Sequence, residues 1–424
     1  VKRVTLGALT ISALILAGCG GSQTVGVTPA LQAPTAPLSA AGTTTVTEFQ
    51  RGVALGYFAP VCDRSEEMHC HAYLLTESGR LASAARLAQN ADRQTDATTV
   101  SGYGPAQLQA AYGTASAAAS GGSGRLIAIV DAYDDPNLEA DLGVYRSHYG
   151  LSACTTANGC FKKVSQTGTS TLPAKNASWA EETSLDVDMV SANCPNCHIV
   201  VVEAKSASTA NLAAGAEEAY KLGAVAISNS YGGSESSTDA TYAADYNHSG
   251  IAITASNGDD GYGVEVPAAY GTVTAVGGTS LDTASGTRGY TETVWSGSGS
   301  GCSKYEAKPT WQKDTGCTKR TVGDVAYIGD PNTGVAVYDS LAYEGYSGWL
   351  VFGGTSVGAP SIAAIYGLAG NSVNGASLAY SNKADLYDVT SGSNGSCTTA
   401  YLCNGETGYD APTGNGTPHG TGAF

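Results

Sequence analysis

Ser356 stands in Gly354-Thr355-Ser356-Val357-Gly358-Ala359-Pro360, directly after the apolar run Gly348-Trp349-Leu350-Val351-Phe352. A strand that ends in glycines and turns into a helix leaves the serine hydroxyl exposed at the helix N-terminus. The unpaired backbone N–H groups there can stabilise an oxyanion. Such a serine attacks only if a base takes its proton. Six histidines are present, His69, His71, His148, His198, His248 and His419, and none lies in a His-Gly-Thr setting. The usual serine–histidine pairing therefore has no evident candidate.

Carboxylates offer another base. Residues 178–192 read as a helix in which, at about 100° per residue, Trp179, Glu182, Leu185, Asp186, Met189 and Val190 share one face. Glu181 and Asp188 project from a different side, expected to meet water. Glu182 and Asp186 are one turn apart inside the apolar stripe. Burial and mutual repulsion there raise at least one pKa and make a proton-sharing couple suited to acid. The plainer alternatives are a misplaced solvent face and the preference of helix N-termini for acidic residues. A third carboxylate, Asp259, lies in Ser256-Asn257-Gly258-Asp259-Asp260-Gly261, just beyond an apolar strand at 251–255. Loops beyond the carboxyl ends of parallel strands gather functional residues. Protonated, Asp259 can donate a hydrogen bond to a developing oxyanion; otherwise it is a turn aspartate.

The elements that must position these groups alternate. Apolar runs at 125–130, 198–202, 224–228, 251–255 and 272–276 read as buried strands, and helices are expected at about 137–148, 178–192 and 209–222. With the strand and helix flanking Ser356, they predict an α/β fold, a parallel sheet with helices on both faces. The 424 residues, 42% of them hydrophobic, suffice for one large unit plus a short leader. A net charge of −16 excludes nucleic acid as a partner, because phosphates would be repelled, and it is compatible with work at low pH.

Residues 1–19 read as a lipoprotein-type signal peptide. Lys2 and Arg3 precede an apolar segment at 6–17, which closes on the lipobox Leu16-Ala17-Gly18-Cys19. An ordinary signal peptide with an incidental cysteine is the alternative. Either implies export from a bacterial cell, secreted or at the cell surface, with membrane contact through a lipid anchor only. Of eleven cysteines, setting Cys19 aside leaves ten in close couples: Cys62/Cys70, Cys154/Cys160, Cys194/Cys197, Cys302/Cys317 and Cys397/Cys403. Five local disulfides in an oxidising compartment are the simplest reading. Residues 20–101 form a tether, rich in Ala, Thr, Gly and Pro to about residue 48, and then a short leader with one helix. The core begins near residue 102.

Taken in order, Glu182-Thr-Ser-Leu-Asp186, Ser256-Asn-Gly-Asp259-Asp-Gly261 and Gly354-Thr-Ser356-Val-Gly-Ala-Pro360 resemble the motifs of the sedolisin (serine-carboxyl) peptidases. Pro267-Ala268, Val276-Gly-Gly-Thr-Ser280, Trp295, Pro309-Thr-Trp311-Gln312 and Asp324-Val325 add to the likeness, which covers roughly residues 102–418. The resemblance implies a subtilisin-like fold over 102–424 and a monomeric endopeptidase that hydrolyses protein or peptide substrates at acidic pH through an acyl-enzyme. Ser356 would be the nucleophile, Glu182 the general base and acid, Asp186 the residue positioning Glu182, and Asp259 the oxyanion donor beside the Ser356 N–H. Ser230-Tyr231-Gly232 resembles the segment that pairs with extended substrate backbone. The resemblance also implies Ca2+ in a C-terminal loop, held by the carboxylates of Asp388 and Asp410 and the carbonyls of Val389, Gly408 and the residue at Glu406, where the family has glycine. The leader is far shorter than the family's folded propeptide. Asp131 ends the first core strand where a subtilisin has its aspartate, and is read as a supporting or structural residue. Two rivals remain: a histidine-dependent subtilisin-type peptidase using Asp131, and a non-catalytic, calcium-stabilised surface binding protein.

Overall fold

The computed structural model describes residues 46–89 and 100–424. The signal peptide, the lipobox with Cys19 and nearly all of the tether lie outside the described residues. Among the described residues no helix is long and apolar enough to cross a membrane.

The leader folds onto the body. Thr47 caps α1 (Glu48–Ala54) in a capping box with Gln50. There follow β1 (Phe58–Pro60), β2 (His69–Cys70), β3 (Tyr73–Leu75) and α2 (Glu77–Gln89). Phe49, Phe58, Tyr73 and Leu75 cluster with Trp295 and Val351. At about 1.5–3 kcal/mol for each large side chain buried, this cluster holds the leader in place.

The body runs through α3 (Pro105–Ala111), α4 (Ala115–Ser120), β4 (Leu126–Ala132), α5 (Leu138–His148), β5 (Phe161–Ser165), α6 (Ala177–Asn193), β6 (His198–Ala204) and α7 (Thr209–Lys221). Next come β7 (Ala226–Asn229), β8 (Tyr231–Ser234), β9 (Ala252–Ser256), β10 (Glu265–Val266), β11 (Thr274–Thr283), β12 (Tyr290–Val294), β13 (Gly301–Cys302) and β14 (Thr321–Val322). The chain ends in β15 (Val325–Ile328), β16 (Val335–Tyr343), β17 (Tyr346–Gly353), α8 (Gly358–Ala369), α9 (Ser377–Ser381), β18 (Leu386–Tyr387) and β19 (Thr417–Pro418).

The central sheet has eight strands in the order β12-β11-β9-β7-β4-β6-β5, with β15 also on β11. Every pairing in it is parallel except that of β12. Successive side chains of β4 point to opposite faces. Val130 meets α7 at Gly215 and Ile127 meets α8 at Gly367, so these two helices cover opposite faces of the sheet. The apolar runs read from sequence are these buried strands, and all five expected cysteine couples are disulfide-bonded.

Two expectations need correction. The strand that delivers Ser356, β17, is not part of the parallel sheet. It forms a separate antiparallel sheet in the order β1-β3-β17-β16, in which the leader's β3 pairs with β17. The cause is local: Glu344 and Gly345 both take positive φ, making a tight hairpin that folds β17 back on β16. Glu181 and Asp188 do not face water either; both are buried. The same hairpin lies along α6, where the Tyr338 N–H donates to Asp188 at 3.1 Å. A helix covered by a sheet on one side and by a second hairpin on another has almost no wet face.

Candidate active site

Helix α6 carries two of the site carboxyls. Asn176 starts it, its side chain accepting the N–H groups of Ser178 and Trp179. One turn in, Glu182 and Asp186 point from the buried face, and both are fully buried. The Ser230 hydroxyl contacts both Asp186 oxygens at 2.8 Å. Among the described residues no donor stands in good hydrogen-bond geometry to either Glu182 oxygen or either Asp131 oxygen. Burial drives Glu182 and Asp186 well above the ordinary carboxylate range, and the neighbouring charge of Asp131 pushes both further. Asp186 favours the ionised form of Glu182, whereas Glu182 raises Asp186. A proton shared between the two carboxyls would supply Glu182 with a donor.

Ser356 lies where β17 gives way to a 3-10 turn (Thr355–Val357) and then α8. Gly354, at φ 105°, makes the corner. A Cβ at Gly354 would collide with the His71 carbonyl and crowd the free Asp259 oxygen, so only glycine leaves this space open. Pro360 is tolerated because the first helical turn needs no N–H from it. Asp259 fixes the corner, its Oδ1 accepting the Thr355 N–H and hydroxyl at 2.8 Å each. Its Oδ2 is buried and unpaired. Burial lifts Asp259 to about 7 against the pull of His71 and Thr355. The Ser356 hydroxyl is near Glu182 and favours its charged form. The sequence-predicted quartet of Ser356, Glu182, Asp186 and Asp259 is thus brought together.

The Ser356 hydroxyl is not exposed, as the sequence had suggested; Ser356 is fully buried. The leader covers it. Strand β2 adds antiparallel to β8, pairing His69 with Gly232 and Cys70 with Tyr231. The His71 N–H then points at the Ser230 carbonyl (3.2 Å) and the Ser356 hydroxyl oxygen (3.1 Å). The Ser356 N–H donates to the His71 carbonyl at 2.9 Å. The Ser356 hydroxyl itself donates to the Ser230 carbonyl at 3.1 Å. The His71 carbonyl therefore sits on the Ser356 N–H, the oxyanion donor expected from sequence, and close to Asp259. Sequence reasoning missed this strap. Its only signal was the Cys62/Cys70 couple closing a short loop just before His71.

No histidine ring bonds to Ser356. The His71 imidazole turns away, to Ser256 (Nδ1, 2.7 Å) and Glu265 (Nε2, 2.8 Å). Asp131 has no imidazole partner, so the histidine-dependent rival finds no base here.

At the C-terminal loop, Asp388 and Asp410 face one another closely enough that Asp388 raises Asp410. Burial is the main cause of that rise, to about 7. Asp388 accepts the Gly408 N–H at 2.8 Å, and Asp410 accepts the Glu406 N–H at 3.1 Å and the Thr413 N–H at 2.9 Å. The Val389 carbonyl lies against Gly405 in the same loop pair. Oxygen-rich and left with excess negative charge, this donor set fits a hard divalent cation.

Sedolisin from Pseudomonas sp. (strain 101) is 33% identical over 177 residues, 37% of this chain and 29% of that protein. Kumamolisin from Bacillus sp. (strain MN-32) is 29% identical over 345 residues, 70% of this chain and 59% of that protein. The chain therefore spans less than two thirds of the length of either. The crystal structure of Pseudomonas sedolisin, a serine-carboxyl proteinase complexed with two molecules of pseudo-iodotyrostatin, superposes with a TM-score of 0.63. It is 25% identical, and the match covers 76% of this chain and 96% of that one. No family model matches the chain.

The buried acids fix the sign of the pH dependence of stability. A carboxyl whose pKa is raised on folding binds more protons in the native state, so stability falls as pH rises from the unfolded to the folded value. Asp135, raised by burial to about 6, and Asp131, Asp259 and Asp339, raised to about 7, act in the same direction. Thermal midpoints are expected to decline from about pH 4 to about pH 7, the range between the ordinary carboxylate values and these raised ones. Midpoints that climb over this range would contradict the protonated-carboxyl site.

Proposed function

The chain belongs to the sedolisin family, with a subtilisin-like fold, and on that footing we propose that it is a serine-carboxyl endopeptidase acting at acidic pH. The observation that carries the reading is the peptide of its own leader seated on Ser356, with the His71 carbonyl on the Ser356 N–H. In this reading Glu182 takes the Ser356 proton as the hydroxyl attacks a substrate carbonyl, and Asp186 holds Glu182 through the shared proton. Asp259, protonated at its free oxygen, and the Ser356 N–H receive the oxyanion. Glu182 then returns the proton to the leaving amine. Water hydrolyses the acyl-enzyme by the same route in reverse.

Residues 20–101 serve as tether and leader, and the leader closes the cleft of the peptidase domain, residues 102–424. Its described part, residues 46–89, is a clamp tied by the Cys62–Cys70 disulfide. Residues 1–19 export the chain, and Cys19 anchors it by lipid as a monomer at the cell surface, where its substrates are proteins and peptides. Brought to acid pH, the full chain is expected to cut itself between His71 and Ala72 and then to hydrolyse added peptides. Ser356→Ala and Glu182→Gln should lower the rate of both by roughly a thousandfold or more. N-terminal mass spectrometry and a peptide assay check this; activity equal in all three forms would defeat the reading and favour a binding protein.

Calcium is proposed for the C-terminal loop, on the carboxylates of Asp388 and Asp410 and the carbonyls of Val389, Gly408 and Glu406. When bound, it would neutralise two facing carboxylates and tie β18 to the loop after Cys403. Added to metal-depleted protein at roughly 100 times its dissociation constant, it should stabilise the fold by about 2.7 kcal/mol. That gain should vanish in Asp410→Ala. A melting midpoint unmoved by calcium in the unsubstituted chain would count against the site.

A further inference from the structure

His71 does more than cover the nucleophile, because its side chain fills a pocket beside it. The ring is fully buried, and Glu265 at the pocket wall is 15% exposed. Nε2 meets Glu265 at 2.8 Å and Nδ1 meets the Ser256 hydroxyl at 2.7 Å, so both ring nitrogens are used. Two glycines make the room. A Cβ at Gly232 would collide with the His71 ring and with Glu265, and one at Gly258 would come within 3.1 Å of Glu265 Oε1. Glu265 is brought there by β10, which pairs antiparallel with the far edge of β8. One strand thus carries the leader backbone on one edge and the pocket carboxylate on the other.

This residue is the one whose carbonyl sits on the Ser356 N–H, so its pocket is the one that reads the side chain before the scissile bond. Burial opposes charge on both partners. Even so, the pairing holds Glu265 below the usual carboxylate range and His71 above the usual imidazole range. Arg64 adds positive charge nearby but belongs to the leader. Once the strap is gone, Glu265 and Asp259 remain, and Glu265 has lost its counter-charge.

Resting on the peptidase reading above, we propose that Glu265 and Ser256 form the primary specificity pocket and select peptides with a cationic residue (protonated histidine, lysine or arginine) on the N-terminal side of the cleaved bond. The strap is then a copy of the preferred substrate, with His71 as its selected residue. A carboxylate left buried opposite an apolar side chain stays unpaired, and one opposite an acidic side chain is repelled, so both classes are disfavoured.

The test uses the full chain after acid incubation and a peptide series differing only at the residue before the cleaved bond: His, Lys, Arg, Leu, Phe and Glu. Ratios of kcat/KM within the series are independent of the fraction of chains whose strap has opened. The cationic peptides should exceed Leu and Phe by about tenfold or more, with Glu the poorest. In Glu265→Gln the ratio of Lys to Leu should collapse toward one, while the cut site stays after the varied residue. Cleavage of all six at similar rates, or a Lys-to-Leu ratio unchanged in Glu265→Gln, overturns this inference and leaves the peptidase standing. Cleavage of no peptide at all overturns the peptidase reading and this inference with it.

Discussion

Several carboxyls are buried around one serine, and the rest of the structure follows from that constraint. Glu182, Asp186, Asp131 and Asp259 are all removed from water. Their full ionisation would place mutually repelling charges in a low-dielectric space, a cost no packing could offset. Protons must therefore be retained and shared. In the proposed reading, shared protons would give the site both a base (Glu182) and a donor (Asp259) without imidazole. The same constraint explains the covering of α6. The sheet lies on one side of it, α8 on another, and the β16–β17 hairpin over Glu181 and Asp188, so water does not screen the carboxyls.

The leader acts on this site through backbone geometry. Strand addition to β8 fixes the register, and the register alone decides that the His71 carbonyl, not that of a neighbour, reaches Ser356. The disulfide after Val61 and the pairing of β3 with β17 hold the two ends of the strap. Strand β17 also leads into the turn that bears Ser356, so the leader pairs with the strand that delivers this serine. Further bonds tie the strap to the body: Glu66 accepts from Tyr133 and from the Trp179 indole at 2.8 Å each. Trp179 sits one turn before Glu182, so the leader bonds directly to the helix that bears the buried carboxyl couple.

Much of this was legible in the sequence because it is local. The i, i+4 spacing of Glu182 and Asp186 within an apolar stripe located the buried carboxyl couple. A glycine-flanked serine located the corner between β17 and α8, and the alternation of buried strands with helices gave the sheet. What was not legible depends on chain segments far apart. Helical periodicity assigned Glu181 and Asp188 to a wet face because it cannot know that residues near 338 will lie over them. Composition read residues near 60–75 as a plain leader because strand addition to β8 leaves little side-chain signature. Glu265 carried no motif at all; its role comes from β10 pairing with β8. The turn at Glu344-Gly345 was equally silent until two positive φ angles showed β17 leaving the parallel sheet.

The central claim is that carboxyls kept protonated by burial replace imidazole, and the pH dependence of kcat/KM for peptide hydrolysis tests it most directly. The account predicts activity on the acid side and a fall as pH rises through about 7, the value to which burial lifts Asp259. A profile that instead climbs through pH 6–7, the titration range of a free histidine base, to an alkaline plateau would contradict it.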